Sequence, residues 1–297
     1  MTQFSLQGSI AALVTPFKTD GSIDYAAYDR LLDFHIDNGT AGVVVCGTSG
    51  EAPTLSEEED AQMFRHTVEY VGRRMAVIAG TGSNSTESCI CYTRTAAAAG
   101  VDAVLVVGPY YNKPTSAGMH LHFSSVAKAV DIPIILYNVP GRTGSAIKPE
   151  VALRLANECP NIVGIKEATG NVLNFAELIA GRPEGFKVYS GDDSLALMCN
   201  VLGGDGCVSV VANVMPREFA ELMRASMAGE VAVAREIFFR MRRLMDLLFV
   251  ESNPIPVKAA LSAMGMMEEV YRSPLCPMEA ANRELLVGEM RRLGLVG

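Results

Sequence analysis

Residues 162–166 read Ile162-Val163-Gly164-Ile165-Lys166, an apolar run that ends directly on a lysine. A short β-branched run of this kind predicts a strand buried on both faces, as in a parallel sheet covered by helices. Seven more runs of the same type lie along the chain: Ser9–Val14, Gly42–Cys46, Ala76–Ala79, Ala103–Val107, Pro133–Tyr137, Lys187–Ser190 and Gly206–Val210. The eight begin about 20 to 34 residues apart, room for one strand, one helix and two loops each.

The intervening segments carry helix signals. Tyr28, Leu31, Leu32, His35 and Ile36 follow the spacing of one helix face, and Gly39 supplies the stop. Ser56 with Glu59 forms a capping-box pattern, the run ending Thr95–Ala99 stops at Gly100, and Pro149 sits where a first helical residue would. Asp193–Leu202 reads as a helix ending at Gly203-Gly204. Eight βα units closing on themselves make an (α/β)8 TIM barrel; an open doubly wound sheet is the alternative. The open sheet favours a glycine-rich dinucleotide turn after its first strand, and Thr15-Pro16-Phe17 is not one. Strand signals stop after about residue 225, and Glu230–Phe249, Val257–Met264 and Pro277–Leu293 read as three helices. The expected organisation is therefore a barrel over residues 1–225 that carries the site, with a C-terminal helical extension over residues 226–297 packed against it.

Composition narrows the function classes. Of 297 residues, 49% are hydrophobic and 20% charged, which suits a globular protein with a large core. The net charge of −8, with no Lys/Arg cluster, argues against nucleic acid or an anionic membrane as partner. Seven cysteines, without zinc-ligand spacing, read as reduced thiols of a cytoplasmic protein. Neither a signal-peptide pattern nor an apolar stretch long enough for a membrane span is apparent.

A barrel builds its active site at the C-terminal ends of its strands. That rule shortens the list of polar residues to those in Gly47-Thr48-Ser49-Gly50-Glu51, Gly108-Pro109-Tyr110-Tyr111-Asn112, Tyr137-Asn138-Val139-Pro140-Gly141-Arg142, Lys166-Glu167 and Ser190-Gly191-Asp192-Asp193. Lys166 is the most informative. Desolvation at the inner end of an apolar strand disfavours an ammonium ion and so favours a nucleophilic amine. The plainer reading is a lysine that marks a strand end or pairs with Glu167. Tyr137, on the neighbouring strand, could move protons with Thr48, or could be a rim aromatic. The Gly47–Gly50 loop offers backbone N–H groups and two hydroxyls to a carboxylate. Arg142 could clamp a second carboxylate, or form a surface ion pair. Competing chemistries find little support. The four histidines make no HExxH, no GxSxG elbow or P-loop occurs, Asp192-Asp193 suits a helix N-terminus as well as a metal, and Cys207 reads as a buried thiol.

With these residues in hand, the chain resembles the dihydrodipicolinate synthase family, within the pyruvate-dependent N-acetylneuraminate lyase superfamily of class I aldolases. The resemblance runs from Gly8-Ser9-Ile10 and Val14-Thr15-Pro16 to Asn253-Pro254-Ile255-Pro256-Val257-Lys258. Its specific parts are the Gly47–Glu51 loop, Pro109-Tyr110-Tyr111-Asn112, the Tyr137–Gly144 stretch and Gly164–Gly170. It implies that Lys166 forms a Schiff base with pyruvate and that the derived enamine attacks L-aspartate-4-semialdehyde. Tyr137, Thr48 and Tyr111 look like the family's proton relay, with Tyr111 reaching into a neighbouring subunit's site. A dimer at least, and usually a homotetramer, follows. Thr48 and Ser49 would hold the pyruvate carboxylate and Arg142 that of the aldehyde, while Gly191 and Val208 look like pocket backbone and wall. No metal or organic cofactor is called for; Lys166 does that work.

Two departures stand out. Ser49 stands where many members have threonine, which keeps the hydroxyl. Members inhibited by L-lysine commonly carry a serine, two histidines and a glutamate where this chain has Ala52, Glu57, Asp60 and Ser88, although Asn84 and Tyr110 of that site are retained. Weak or absent lysine feedback is the implied outcome. The nearest rival activity keeps the Schiff base and changes the aldehyde, as in an N-acetylneuraminate lyase or a 2-keto-3-deoxy-sugar-acid aldolase. Arg142 is the discriminator, since sialic-acid lyases tend to have an aliphatic residue there. A non-catalytic binder on the same scaffold would be expected to have lost at least one of Lys166, Tyr137, Thr48 and Tyr111.

Overall fold

The computed structural model describes residues 5–297. Eight parallel strands follow one another around a closed barrel: β1 (Gly8–Ala12), β2 (Gly42–Val45), β3 (Ala76–Gly80), β4 (Ala103–Val107), β5 (Ile134–Asn138), β6 (Ile162–Glu167), β7 (Lys187–Ser190) and β8 (Gly206–Ser209). β8 returns to pair with β1. The TIM barrel expected from the eight apolar runs is the observed fold, with strand ends displaced by no more than two residues.

Alternation along the strands separates two apolar layers. Ala11, Val43, Val45, Leu136 and Ile165 face the surrounding helices, whereas Ile10, Val44, Ile78, Ile135 and Val208 fill the barrel interior. β6 departs from strict alternation. Ile134 pairs with Ile162, but the next residue, Ile135, pairs with Gly164, so Val163 is an extra residue. This β-bulge shifts the phase of the strand by one. Val163 packs on the interior layer and Ile165 on the exterior one. Lys166, three residues after Val163, therefore turns inward beside its register partner Tyr137. Unbroken alternation from Val163 would have turned it outward. Gly164 sits at the close approach this requires, since a Cβ there would lie 2.8 Å from the Lys187 carbonyl oxygen.

The helix signals are realised with instructive differences. Helix Tyr25–Asp37 buries Tyr28, Leu31, Leu32 and His35. The Ser56 hydroxyl accepts from the Glu59 amide at 3.2 Å while the Ser56 amide donates to the Glu59 carboxylate at 3.0 Å, a complete capping box. Pro149 opens helix Pro149–Glu158. The segment expected to be helical from Asp193 begins instead as a 3-10 turn, Asp193–Leu195, before helix Ala196–Val201. The reason is that the Asp193 carboxylate is drawn inward to accept from the Val210 and Val211 amides, at 3.1 and 2.8 Å.

Helix Pro216–Met227 is followed by the C-terminal helices Val231–Leu247, Ile255–Ala263 and Ala280–Arg292. The second starts two residues earlier than expected because Pro256 falls in its first turn, where a missing N–H costs no intrahelical bond. The third starts three residues later, its entry held by Glu251, which accepts from the Glu279 amide and the Asn282 side chain. No helix among the described residues is long and apolar enough to cross a membrane.

Candidate active site

Lys166 lies near the C-terminal end of β6 with only 6% of its surface exposed. Its Nζ sits 4.1 Å from the centroid of the Tyr137 ring on the adjacent strand. Gly191, just past β7, donates its amide to the Glu167 carbonyl at 2.7 Å. A Cβ at Gly191 would come within 2.9 Å of Lys166 Cε and 2.7 Å of Ala168 Cβ, so the lysine stem occupies space that only glycine leaves open. Val208 and Tyr137 share the interior apolar layer. The alternative partner, Glu167, points the other way. Its carboxylate accepts from Asn138 Nδ2 and from the Thr169 amide, both at 2.7 Å, and burial pushes its carboxyl up. Lys166 is thus directed at an aromatic ring, not at a carboxylate.

The loop after β2 folds back on itself. The Gly50 and Ala52 amides donate to the Gly47 carbonyl and the Glu51 amide to that of Thr48. The amides of Thr48 and Ser49 are left without an intramolecular acceptor among the described residues. Thr15 Oγ1 donates to the Gly50 carbonyl at 2.8 Å. Glu51 holds a positive φ of 56° and is fixed by partners remote in sequence: its carboxylate takes the Lys258 ammonium and, at 3.1 Å, the Arg272 amide. Both members of the Glu51–Lys258 pair are fully buried. The Lys258 ammonium also lies 4.3 Å from the Phe17 ring centroid. Burial holds the Lys258 pKa below its usual value, in spite of Glu51.

The extension reaches the site at a second point. Asn253 Nδ2 donates to Ser49 Oγ at 2.9 Å, and its backbone carbonyl accepts from Arg142 Nη2 at 3.1 Å. Arg142 sits on the short helical turn Pro140–Thr143 after β5 and is exposed. Tyr111 is placed apart: it is 89% exposed, at a positive φ of 68°, on a loop tied back by the Asn112 side chain to the Asn84 carbonyl. The structure therefore brings Lys166, Tyr137, Gly191 and Val208 together at the barrel interior. It links Ser49 to Arg142 through the extension, and it leaves the Tyr111 ring clear of its own chain.

Ala52 opens a short turn, Ala52–Thr54, while Glu57 and Asp60 lie in the first turn of helix Glu57–Val71 and Ser88 near the start of helix Thr86–Ala99. Asp60 has one carboxylate oxygen buried without a hydrogen-bond partner, and burial raises its pKa to about 6. Asp60 titrates near pH 4 in an unfolded chain, so its native form binds the proton more tightly. The stability this confers is fully present below about pH 4 and is lost as pH rises through 6. Asp60→Asn is therefore expected to stabilise the protein by about 1–2 kcal/mol at pH 7–8, discounted for the partly exposed edge, and to be neutral near pH 4. Denaturant titrations across that range check this; an equal effect at both ends would contradict it.

Other titratable groups have structural partners. His120 pairs with Glu158 at 2.8 Å and His122 with Thr86 at 2.9 Å. Asp192 caps the Ser194 amide at 2.8 Å. All seven cysteines are free, and burial pushes the Cys207 thiol well up.

A model of the dihydrodipicolinate synthetase family matches residues 5–291. The chain belongs to this family. A 4-hydroxy-tetrahydrodipicolinate synthase from Ralstonia nicotianae is 50% identical over the whole of both chains. The crystal structure of dihydrodipicolinate synthase from Aquifex aeolicus superposes with a TM-score of 0.96 at 47% identity, covering 97% of this chain and 98% of that one. The Acinetobacter baumannii enzyme crystallised with pyruvate gives 0.96 at 44% identity, over 98% and 100%. Against this family background, the roles of Asn253, Glu51 and Lys258 were not read from the sequence. The signal was a polar residue and a lysine inside an otherwise apolar, proline-rich stretch, Asn253–Lys258, in a segment with no strand to place them.

Proposed function

We propose that this chain is an enzyme of the lyase class with 4-hydroxy-tetrahydrodipicolinate synthase activity, condensing pyruvate with L-aspartate-4-semialdehyde in diaminopimelate and lysine biosynthesis. The observation that carries it is the Lys166 amine against the Tyr137 ring at the strand ends of a barrel, in a chain matched end to end by relatives bearing that activity's name.

Lys166 Nζ adds to C2 of pyruvate, and loss of water gives the imine. Loss of a C3 proton gives the enamine, whose C3 attacks the aldehyde carbon of the second substrate. The amine of that substrate then closes on C2 and expels Lys166, which regenerates the enzyme. Tyr137, Thr48 and Tyr111 of the partner subunit relay the protons. The exposure of Tyr111 on its own chain supports this sharing; the assembly that goes with the family resemblance is a homotetramer built as a dimer of dimers. Thr48 and Ser49 hold the pyruvate carboxylate with their hydroxyls and unpaired amides, Arg142 holds that of the semialdehyde, and Gly191 and Val208 line the pocket. The free cysteines support a reducing, cytoplasmic location.

The test offers pyruvate with L-aspartate-4-semialdehyde and, in parallel, with N-acetylmannosamine. Turnover with the semialdehyde alone is expected; turnover with the sugar alone would assign the chain to the neuraminate lyase chemistry. L-Lysine added to the same assay is expected to inhibit by less than about twofold at millimolar levels. The reason is that Glu57 and Asp60 place carboxylates, and Ala52 and Ser88 short side chains, where sensitive members carry other groups. Strong inhibition there would contradict it.

A further inference from the structure

We propose that Asn253, in the C-terminal extension, is a positioning residue that aims the Ser49 hydroxyl at the pyruvate carboxylate and seats Arg142 beside it. The proposal rests on the reading of Ser49 and Arg142 as carboxylate anchors. Ser49 is 1% exposed and Asn253 5%, so their hydrogen bond of 2.9 Å is shielded from water. Asn253 donates through Nδ2, which occupies a lone pair of Ser49 Oγ. A hydroxyl has one proton to give, and one that already accepts from an amide N–H is left to donate elsewhere. Ser49 itself donates to no group among the described residues, so its proton is available to a bound carboxylate.

The backbone of Asn253 does a separate job. Its carbonyl accepts from Arg142 Nη2 at 3.1 Å, which fixes one edge of an otherwise exposed guanidinium and leaves the rest for the second carboxylate. Asn253 thus ties the loop after β2 to the turn after β5, the one through its side chain and the other through its backbone. The residue is held in turn by its neighbourhood: Lys258, five positions on, is buried against Glu51 of the same loop as Ser49. The division between side chain and backbone gives the proposal a signature that general damage to the fold would not reproduce. A side-chain substitution at 253 disturbs Ser49 and spares Arg142.

The experiment is steady-state kinetics on the full-length enzyme with Asn253→Ala and Asn253→Asp, each also made in a Ser49→Ala background. A carboxylate at 253 can only accept, so it draws the Ser49 proton away from the pocket and adds a like charge near pyruvate. Asn253→Asp is expected to raise KM for pyruvate about 10- to 100-fold, the worth of one hydrogen bond to a charged group, and Asn253→Ala by less. The KM for the semialdehyde should change less than about twofold, because the backbone carbonyl that holds Arg142 is kept. In the Ser49→Ala background the Asn253→Ala effect should largely vanish, as expected of coupled residues. Unchanged pyruvate KM in Asn253→Asp, or equal losses in both backgrounds, would overturn the proposal. Borohydride trapping of pyruvate on the unsubstituted enzyme separates the two levels of inference. Absence of an adduct on Lys166 would overturn the functional reading and the proposal together, whereas an intact adduct with a flat KM would overturn the proposal alone.

Discussion

Lys166→Ala should lower turnover by at least about 10⁴-fold and abolish borohydride-dependent attachment of pyruvate to the protein, because the proposed mechanism then lacks its covalent nucleophile. The loss belongs in kcat, since the proposed carboxylate anchors, Thr48, Ser49 and Arg142, do not include the lysine. Lys166→Arg is the sharper comparison. It keeps a long basic side chain against the Tyr137 ring, but a guanidinium stays protonated and cannot form the imine. Both variants should fold, because the lysine is bound to no carboxylate among the described residues and its stem lies over Gly191 and the Tyr137 ring. Steady-state rates and mass mapping of the trapped protein check this. Residual activity above about 1% in Lys166→Arg would mean that the Schiff base is not on the reaction path.

The second large effect is on stability. Lys258→Met leaves the Glu51 carboxylate fully buried without its ammonium partner, and breaking a buried pair on one side costs about 3–5 kcal/mol. Among the described residues Glu51 then keeps only the Arg272 amide. Adding Glu51→Gln to Lys258→Met removes the orphaned charge and should restore much of the loss, since the penalty is that of burying one charge alone. Denaturant titration of the three proteins decides it. A double variant no more stable than the single one would show that the pair acts through packing rather than charge. Pyruvate trapping on the single variant would in addition register how firmly the Gly47–Glu51 loop depends on the extension.

Much of this protein was legible before its coordinates. The strands are set by continuous β-branched runs such as Ala103–Val107, which have no other way to lose water on both faces. Their regular alternation with helical segments made a barrel the economical closure. Caps such as Ser56 with Glu59 are local chemistry within one turn, so sequence is sufficient for them. Because a barrel gathers its strand ends at one mouth, Lys166, Tyr137, Thr48, Ser49 and Arg142 could be nominated from position alone.

Tertiary structure decided what depends on phase and on distant partners. Lys166 follows an apolar run in the sequence, but only the extra residue at Val163, visible through pairing with β5, turns it inward beside Tyr137. The 3-10 start of the segment at Asp193 comes from the Val210 and Val211 amides, which claim its carboxylate from the end of the neighbouring strand, β8. Asn253 reaches Ser49 across 204 positions of chain and Lys258 reaches Glu51 across 207. Periodicity and capping act within a few residues, so the sequence determined the elements and their order. Register and the buried polar contacts between distant segments are settled only when those elements pack, and they aim the side chains on which the proposed chemistry depends.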